Sequence, residues 1–296
     1  MKRYAKSVVA IGILLVTAGA FIYYLVQHPE TVERLKHLAP LTLVVLLALC
    51  LLSFGCQVLV TRASLHLYGK SMGKQENMLF NAYSSLINFF GPGQSGPIFR
   101  GAYLKKKLGL GVKQYLFATL FYYAFFGVIS VLLIFAGRAA WWQTALLTVL
   151  ATVASATIIR WYQRKSQIKA THLDAKHIAW IGIATALQLL VQTIIYGVEL
   201  HNVGAHASTA QVLCYTGVAN LAMFVALTPG AIGIREAFLL FSQRLHHIDS
   251  TNIVAANILD RGVYLVFLGI LLLLVISLHA KTKLQVAQLD TGSSTH

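Results

Sequence analysis

Two arginines in this chain each follow a backbone break of the same kind. The first is Pro92-Gly93-x-x-Gly96, then Arg100-Gly101-Ala102-Tyr103-Leu104; the second is Pro229-Gly230-x-x-Gly233, then Arg235-Glu236-Ala237-Phe238-Leu239. An arginine in that position can hold a phosphate through its planar, two-pronged fork. Backbone N–H groups opening the following half-helix would add a partial positive charge. The plainer reading is an interfacial arginine that snorkels to headgroups, or an Arg235–Glu236 pair that neutralises itself. A third group, Asn257, Asp260, Arg261 and Tyr264, gathers at the start of the final apolar run. Asp260 could neutralise a cationic headgroup or pair with an arginine. Charged groups in apolar segments are costly, so Arg100, Arg235, Glu236, Asp260 and Arg261, with Asn88, are the candidate substrate-binding residues.

Uncharged polar residues form two stripes. Asn81, Ser84, Ser85 and Asn88 share one helical face; Gln188, Gln192, Tyr196 and Glu199 share another. Either stripe could line a headgroup path, but interhelical hydrogen bonds are the commoner use of such residues. Motifs of catalysis are missing: no phosphate-cradling G-x-x-x-x-G-K-[ST], no H-E-x-x-H and no G-x-S-x-G occur. The nine acids suggest no catalytic dyad, and neither the cysteines (Cys50, Cys56, Cys214) nor His246-His247 has metal-ligand spacing. No enzyme activity, cofactor or metal is expected.

The elements that must position these groups are membrane helices. Of the 296 residues, 57% are hydrophobic and only 11% charged, with mean hydropathy +0.69. A soluble domain carries about a quarter charged residues. The net charge of +15 comes from residues in short loops between apolar runs, which suits a cytoplasmic face on anionic lipid rather than nucleic acid. Six runs are long enough to cross a bilayer: Ser7–Val26, read as an uncleaved anchor, then about Pro40–Val60, Gln114–Ala136, Ala139–Ile159, Ile178–Leu200 and Gly262–His279. Residues 281–296 form a short polar tail, expected to be disordered.

Met78–Gly91 and Ala210–Thr228 differ, each running into one of the breaks. Proline removes an N–H and clashes with the preceding turn, so neither helix can continue through. Such backbone survives at membrane depth only inside protein or against a wet cavity. If Met78–Gly91 crossed, Lys105, Lys106 and Lys107 would move outside, which the positive-inside rule rejects. That segment is therefore expected to dip in from the cytoplasm and return. For Ala210–Thr228 both paths leave nearly the same number of basic residues inside, and charge does not decide.

Three spans separate the two breaks. An odd number makes two re-entrant segments of one kind approach from opposite faces, the inverted-repeat arrangement of many transporters. The expected fold is an all-α polytopic membrane protein of about six transmembrane helices plus two re-entrant broken helices. It forms one membrane domain over 1–280, with halves at about 1–136 and 137–280.

At these motifs the chain resembles the flippase-like membrane domain family shared with lysylphosphatidylglycerol synthases, over about residues 5–280. Pro92, Gly93, Gly96 and Arg100 match its first-half pattern; Pro229, Gly230, Gly233, Arg235 and Glu236 match its second; Arg261 fits an arginine opening the last helix. The resemblance implies a transporter moving a phospholipid or lipid-linked phosphate-bearing group across a cell (inner) membrane, with anionic or phosphate-bearing lipids as partners; the distribution of basic residues puts the N-terminus on the cytoplasmic face. Only about 16 residues follow the last span, so aminoacyl transfer is not expected of this chain. The alternative is a membrane enzyme, or an accessory or scaffold protein, of envelope lipid synthesis.

Overall fold

The computed structural model describes residues 38–90, 95–136, 175–225 and 234–292, with isolated positions at 26, 29 and between 146 and 164. Among the described residues every regular element is helical. Four helices are long and apolar enough to span a membrane: α1 (Pro40–His66), α4 (Val112–Phe135), α5 (Ala175–Asn202) and α9 (Ser250–Gly292). The expected spans at Ser7–Val26 and Ala139–Ile159 lie essentially outside the described residues. So do Pro92, Gly93, Pro229, Gly230 and Gly233 of the breaks.

Apolar side chains cover the outside of these helices. Leu41, Leu51, Ile183 and Leu190 are 76%, 59%, 57% and 57% exposed. Exposed apolar surface on that scale needs lipid rather than water around it. The chain is a multi-pass membrane protein.

Short helices fill the space between the spans. Hairpin 1 joins α2 (Lys74–Phe90) to α3 (Ser95–Leu108). Its contacts descend in register. Gly96 N–H donates to Asn88 Oδ1 (3.3 Å), Arg100 Nε to Ser84 Oγ (2.6 Å) and Tyr103 Oη to Glu76 Oε1 (2.8 Å). The two helices are therefore antiparallel, with both outer ends on one side. Hairpin 2 joins α6 (Thr209–Ala222), which ends in a tight turn at Met223–Val225, to α7 (Ile234–Phe241) and the short α8 (Gln243–His246). Gln211 Nε2 donates to the His247 carbonyl (3.3 Å), and Tyr215 meets His246 with ring centroids 5.6 Å apart. This limb also folds back on itself, where charge alone left its path open.

Local sequence sets where the helices stop and start. Gly69 (φ 61°) and Gly204 (φ 82°) take left-handed conformations that close α1 and α5; Lys70 N–H reaches the Leu65 carbonyl and Ala205 N–H the Leu200 carbonyl. Ser208 and Gln211 cap α6 reciprocally, with Ser208 N–H on Gln211 Oε1 at 2.8 Å and Gln211 N–H on Ser208 Oγ at 3.4 Å.

The end of α1 meets the start of α5, where the His66 and His177 rings stack at 5.3 Å. Hairpin 1 follows α1 at that level. Hairpin 2 begins just past Asn202, at the far end of α5, and α9 sets out from the same end. A 28-residue helix is about 42 Å long. The hairpins are thus rooted at opposite ends of α5, and the core around the second also takes in Ala82, Leu86 and Phe89 of α2. Leu65, Phe80, Leu104, Phe117 and Ile181 pack around the first, and Tyr215, Leu239, Ile253 and Leu268 around the second.

One boundary is corrected. The last helix begins at Ser250, not near Gly262, so Asn257, Asp260 and Arg261 lie inside it rather than at its start. Their polar groups meet partners on other helices, as described below, and the helix passes through. It also continues to Gly292, taking in most of the expected tail.

Candidate functional site

A cavity of about 340 Å³ lies between the inner ends of α2 and α3 and those of α6 and α7. That is within the range of small-molecule sites, about 300–1,000 Å³. Eight of the described helices contribute to its wall. Ser84, Ser85 and Asn88 come from α2, Pro97 and Arg100 from α3, and Arg235 from α7. Asp260, Arg261 and Tyr264 come from α9, Gln188, Gln192 and Tyr196 from α5, and Asn220 from α6. Cys50 and Gln57 of α1 complete the polar wall. The apolar wall is aromatic: Tyr115, Tyr122, Tyr123 and Phe126 of α4, with Phe224 packed 5.6 Å from Tyr123 and 5.7 Å from Phe126.

The arginines at this cavity are held differently. Arg100 sits in the second turn of α3 and spends one donor, Nε, on the neutral Ser84 hydroxyl. Among the described residues it has no carboxylate partner. Arg235, in the first turn of α7, places Nη1 2.6 Å from Asp260 Oδ2, and its Cζ lies 5.1 Å over the Tyr196 ring. Its Nε and Nη2 are buried and have no hydrogen-bond partner among the described residues. Arg261 donates to Glu236 Oε1 through Nε (2.9 Å) and through Nη2. The adjacent residues Arg235-Glu236 are therefore not a pair with each other. They cross over to Asp260-Arg261, one pair for each, and tie α7 to α9.

Of the expected site residues, Arg100, Arg235, Asp260, Arg261 and Asn88 all line the cavity. Glu236 stands behind it on Arg261. Asn88 also uses its side-chain oxygen on Gly96 N–H, which closes the tip of hairpin 1. Gly96 is needed there, because a Cβ would stand 2.7 Å from Asn88 Cβ and 2.9 Å from the Ser84 carbonyl oxygen. The stripe on α2 divides by depth. Asn81 is structural, accepting from Thr61 (2.9 Å) and donating to the Asn77 carbonyl (2.9 Å), whereas Ser84 serves Arg100. In the stripe on α5, Gln188, Gln192 and Tyr196 face the cavity. Glu199 lies deeper, 1% exposed.

Sequence reasoning missed the tyrosines of α4, because aromatic residues in an apolar run look the same whether they face lipid or a cavity. It also missed the long-range pairing of Glu236 with Arg261. Glu236 and Arg261 are 25 positions apart, as are Arg235 and Asp260. That equal spacing was a signal available in the sequence.

The family model described as the lysylphosphatidylglycerol synthase TM region matches residues 7–271. No curated protein matches the chain.

Proposed function

Because the chain belongs to the lysylphosphatidylglycerol synthase transmembrane-region family, we propose that it is a flippase-like transporter that moves a phospholipid or lipid-linked phosphate-bearing group across the cell (inner) membrane. The observation that carries this reading is Arg100, a cation without a carboxylate partner among the described residues, on the wall of a cavity where two oppositely rooted hairpins meet. A guanidinium in a site of low polarity favours an anion with two acceptor oxygens, and a phosphodiester supplies them. The start of α3, with Pro97 on the same wall, turns its N-terminal dipole toward the same ligand.

The hairpins are re-entrant, one from each side of the membrane, and form an inverted repeat. Their antiparallel limbs and their roots at opposite ends of α5 support this. In alternating access, one half would rock against the other around the fixed cavity. The N-terminus and the base of hairpin 1, with Lys105, Lys106 and Lys107, face the cytoplasm. The chain performs no chemistry on its cargo; its partners are anionic or phosphate-bearing lipids.

Purified protein in vesicles containing a fluorescent phosphatidylglycerol tests the reading. Wild type is expected to move label between leaflets, and Arg100→Ala to lower that rate at least about tenfold, the equivalent of 1.4 kcal/mol. Equal rates with and without protein would remove the transporter reading in favour of a scaffold.

A further inference from the structure

Three side chains on the cavity wall carry hydrogen-bond donors that no described residue meets. Arg235 of α7, Arg261 of α9 and Asn220 of α6 are 9%, 8% and 4% exposed, and all three line the cavity. Arg235 spends Nη1 on Asp260 Oδ2 (2.6 Å) and keeps Nε and Nη2; Arg261 spends Nε and Nη2 on Glu236 Oε1 and keeps Nη1. Those three nitrogens and Asn220 Nδ2 are buried without a hydrogen-bond partner among the described residues. Because α7 packs on both α6 and α9, the donors share one region of the wall. Buried donors are nearly always paired, and leaving them unmade costs stability. Four together call for acceptors supplied by a ligand.

The charge of this region selects the acceptor. Each arginine is already seated on its own carboxylate, so the region is neutral as a whole although rich in donors. Arg100 has no carboxylate partner among the described residues, and one phosphodiester answers it. A second phosphate would bring a further negative charge, with no free cation on the described wall to meet it. An ammonium group brings donors only, and the carboxylates it would need are held by Arg235 and Arg261. A hydroxyl fits: it is uncharged, accepts through two lone pairs and donates its own proton. Gln188 of α5, on the same cavity, offers a buried unpartnered acceptor for such a proton in Oε1.

We propose that Arg235, Arg261 and Asn220 form a polyol station beside the phosphate site at Arg100. The cavity thereby selects a phosphodiester headgroup that bears free hydroxyls, from glycerol or a sugar, over one that bears an amine. The ion pairs to Asp260 and Glu236 stay in place and fix the two guanidinium planes, while the remaining nitrogens donate to hydroxyl oxygens. The station rests on reading the cavity as a headgroup site.

Competition between lipids tests it. The full chain in phosphatidylcholine nanodiscs, loaded with acyl-labelled phosphatidylglycerol, is titrated with four unlabelled lipids. Phosphatidylglycerol and phosphatidylinositol carry hydroxyls; phosphatidylmethanol has the same phosphodiester charge and no hydroxyl; phosphatidylethanolamine carries an amine. At least one hydroxylated lipid should displace the probe about tenfold more effectively than either of the other two, because a site built to hydrogen-bond a hydroxyl rejects the analogue without it. The tighter of the hydroxylated pair names the polyol. Asn220→Leu should weaken phosphatidylglycerol and leave phosphatidylmethanol unchanged, a difference that loosened packing alone would not produce. Should that variant not fold, the wild-type comparison decides. Equal displacement by the hydroxylated lipids and phosphatidylmethanol would show that water meets these donors; it overturns the station and leaves Arg100 as a phosphate site. Displacement by phosphatidylethanolamine as strong as by the hydroxylated lipids overturns the selectivity. A probe that does not bind saturably removes the headgroup reading, and the station with it.

Discussion

Arg100 in hairpin 1 rests on one neutral hydroxyl, whereas Arg235 in hairpin 2 is seated on Asp260 and covered by the Tyr196 ring. Both follow a Pro-Gly-x-x-Gly break at nearly the same distance, and both reach the same cavity from opposite ends of α5. The difference lies in what packs behind them. Hairpin 1 closes on itself through Asn88, Ser84 and Glu76, so its arginine answers only to its own limb and to the cavity. Hairpin 2 is cross-tied to α9 by two ion pairs. The repeated motif thus leads into two different settings: an arginine without a carboxylate partner among the described residues on one side, and one held in a latch on the other.

The largest effect should come from breaking that latch. Asp260→Ala strands the Arg235 charge at 9% exposure, and removing one partner of a buried pair costs about 3–5 kcal/mol. Arg100→Ala removes a cation with no carboxylate partner among the described residues and should cost no more than about 1.5 kcal/mol, the scale of one hydrogen bond. Unfolding in detergent compares the two directly; equal losses would erase the distinction between the hairpins. Replacing both Arg235 and Asp260 with leucine should recover much of the stability, because neither charge is then stranded.

Close packing sharpens the contrast at a smaller scale. A Cβ on Gly217 of α6 would lie 2.5 Å from the Ser130 carbonyl oxygen and 2.9 Å from Ile134 N, both backbone atoms of α4. Gly217→Ala must therefore push two helices apart, at about 1–3 kcal/mol. Gly96→Ala clashes only inside hairpin 1, partly with the movable Asn88 side chain. It should cost less stability but displace Arg100, so that headgroup binding falls further than the melting temperature would suggest. A Gly217→Ala protein that melts like wild type would show that α4 and α6 do not meet this closely.

The sequence made some of this legible and hid the rest for physical reasons. Breaks, apolar runs and the arginines that follow are local patterns, and four of the expected spans and both hairpins follow from them. The start of α9 was misplaced because Asn257, Asp260 and Arg261 look like the edge of a membrane span. Asp260 and Arg261 lie inside the helix because Arg235 and Glu236, 25 positions earlier, neutralise them, while the Asn257 side chain donates to the Ile253 carbonyl. Charge also could not fix the path of hairpin 2, whose return is set by packing of Tyr215 on His246.

The smallest effects should come from the base of hairpin 1, where the ties are single and partly wet. Tyr103 donates to Glu76 Oε1 at 2.8 Å, and Lys107 lies 3.7 Å from the same oxygen with its side chain 59% exposed. Burial, then the Glu76 hydrogen bond and charge, push the Tyr103 phenol up to about 12. Its value in the folded chain is above the ordinary 10.0, so its contribution is complete below pH 10 and is lost as pH climbs through about 12. Tyr103→Phe should cost about 0.5–1.5 kcal/mol at neutral pH. Lys107→Ala should change stability by less than about 1 kcal/mol, and salt should shrink that further. Hydrogen exchange in α3 reads both, since opening of the base should release its amides before those of α6. If the amides of α6 exchange first, hairpin 2 is the looser limb and its ion pairs do not act as a latch.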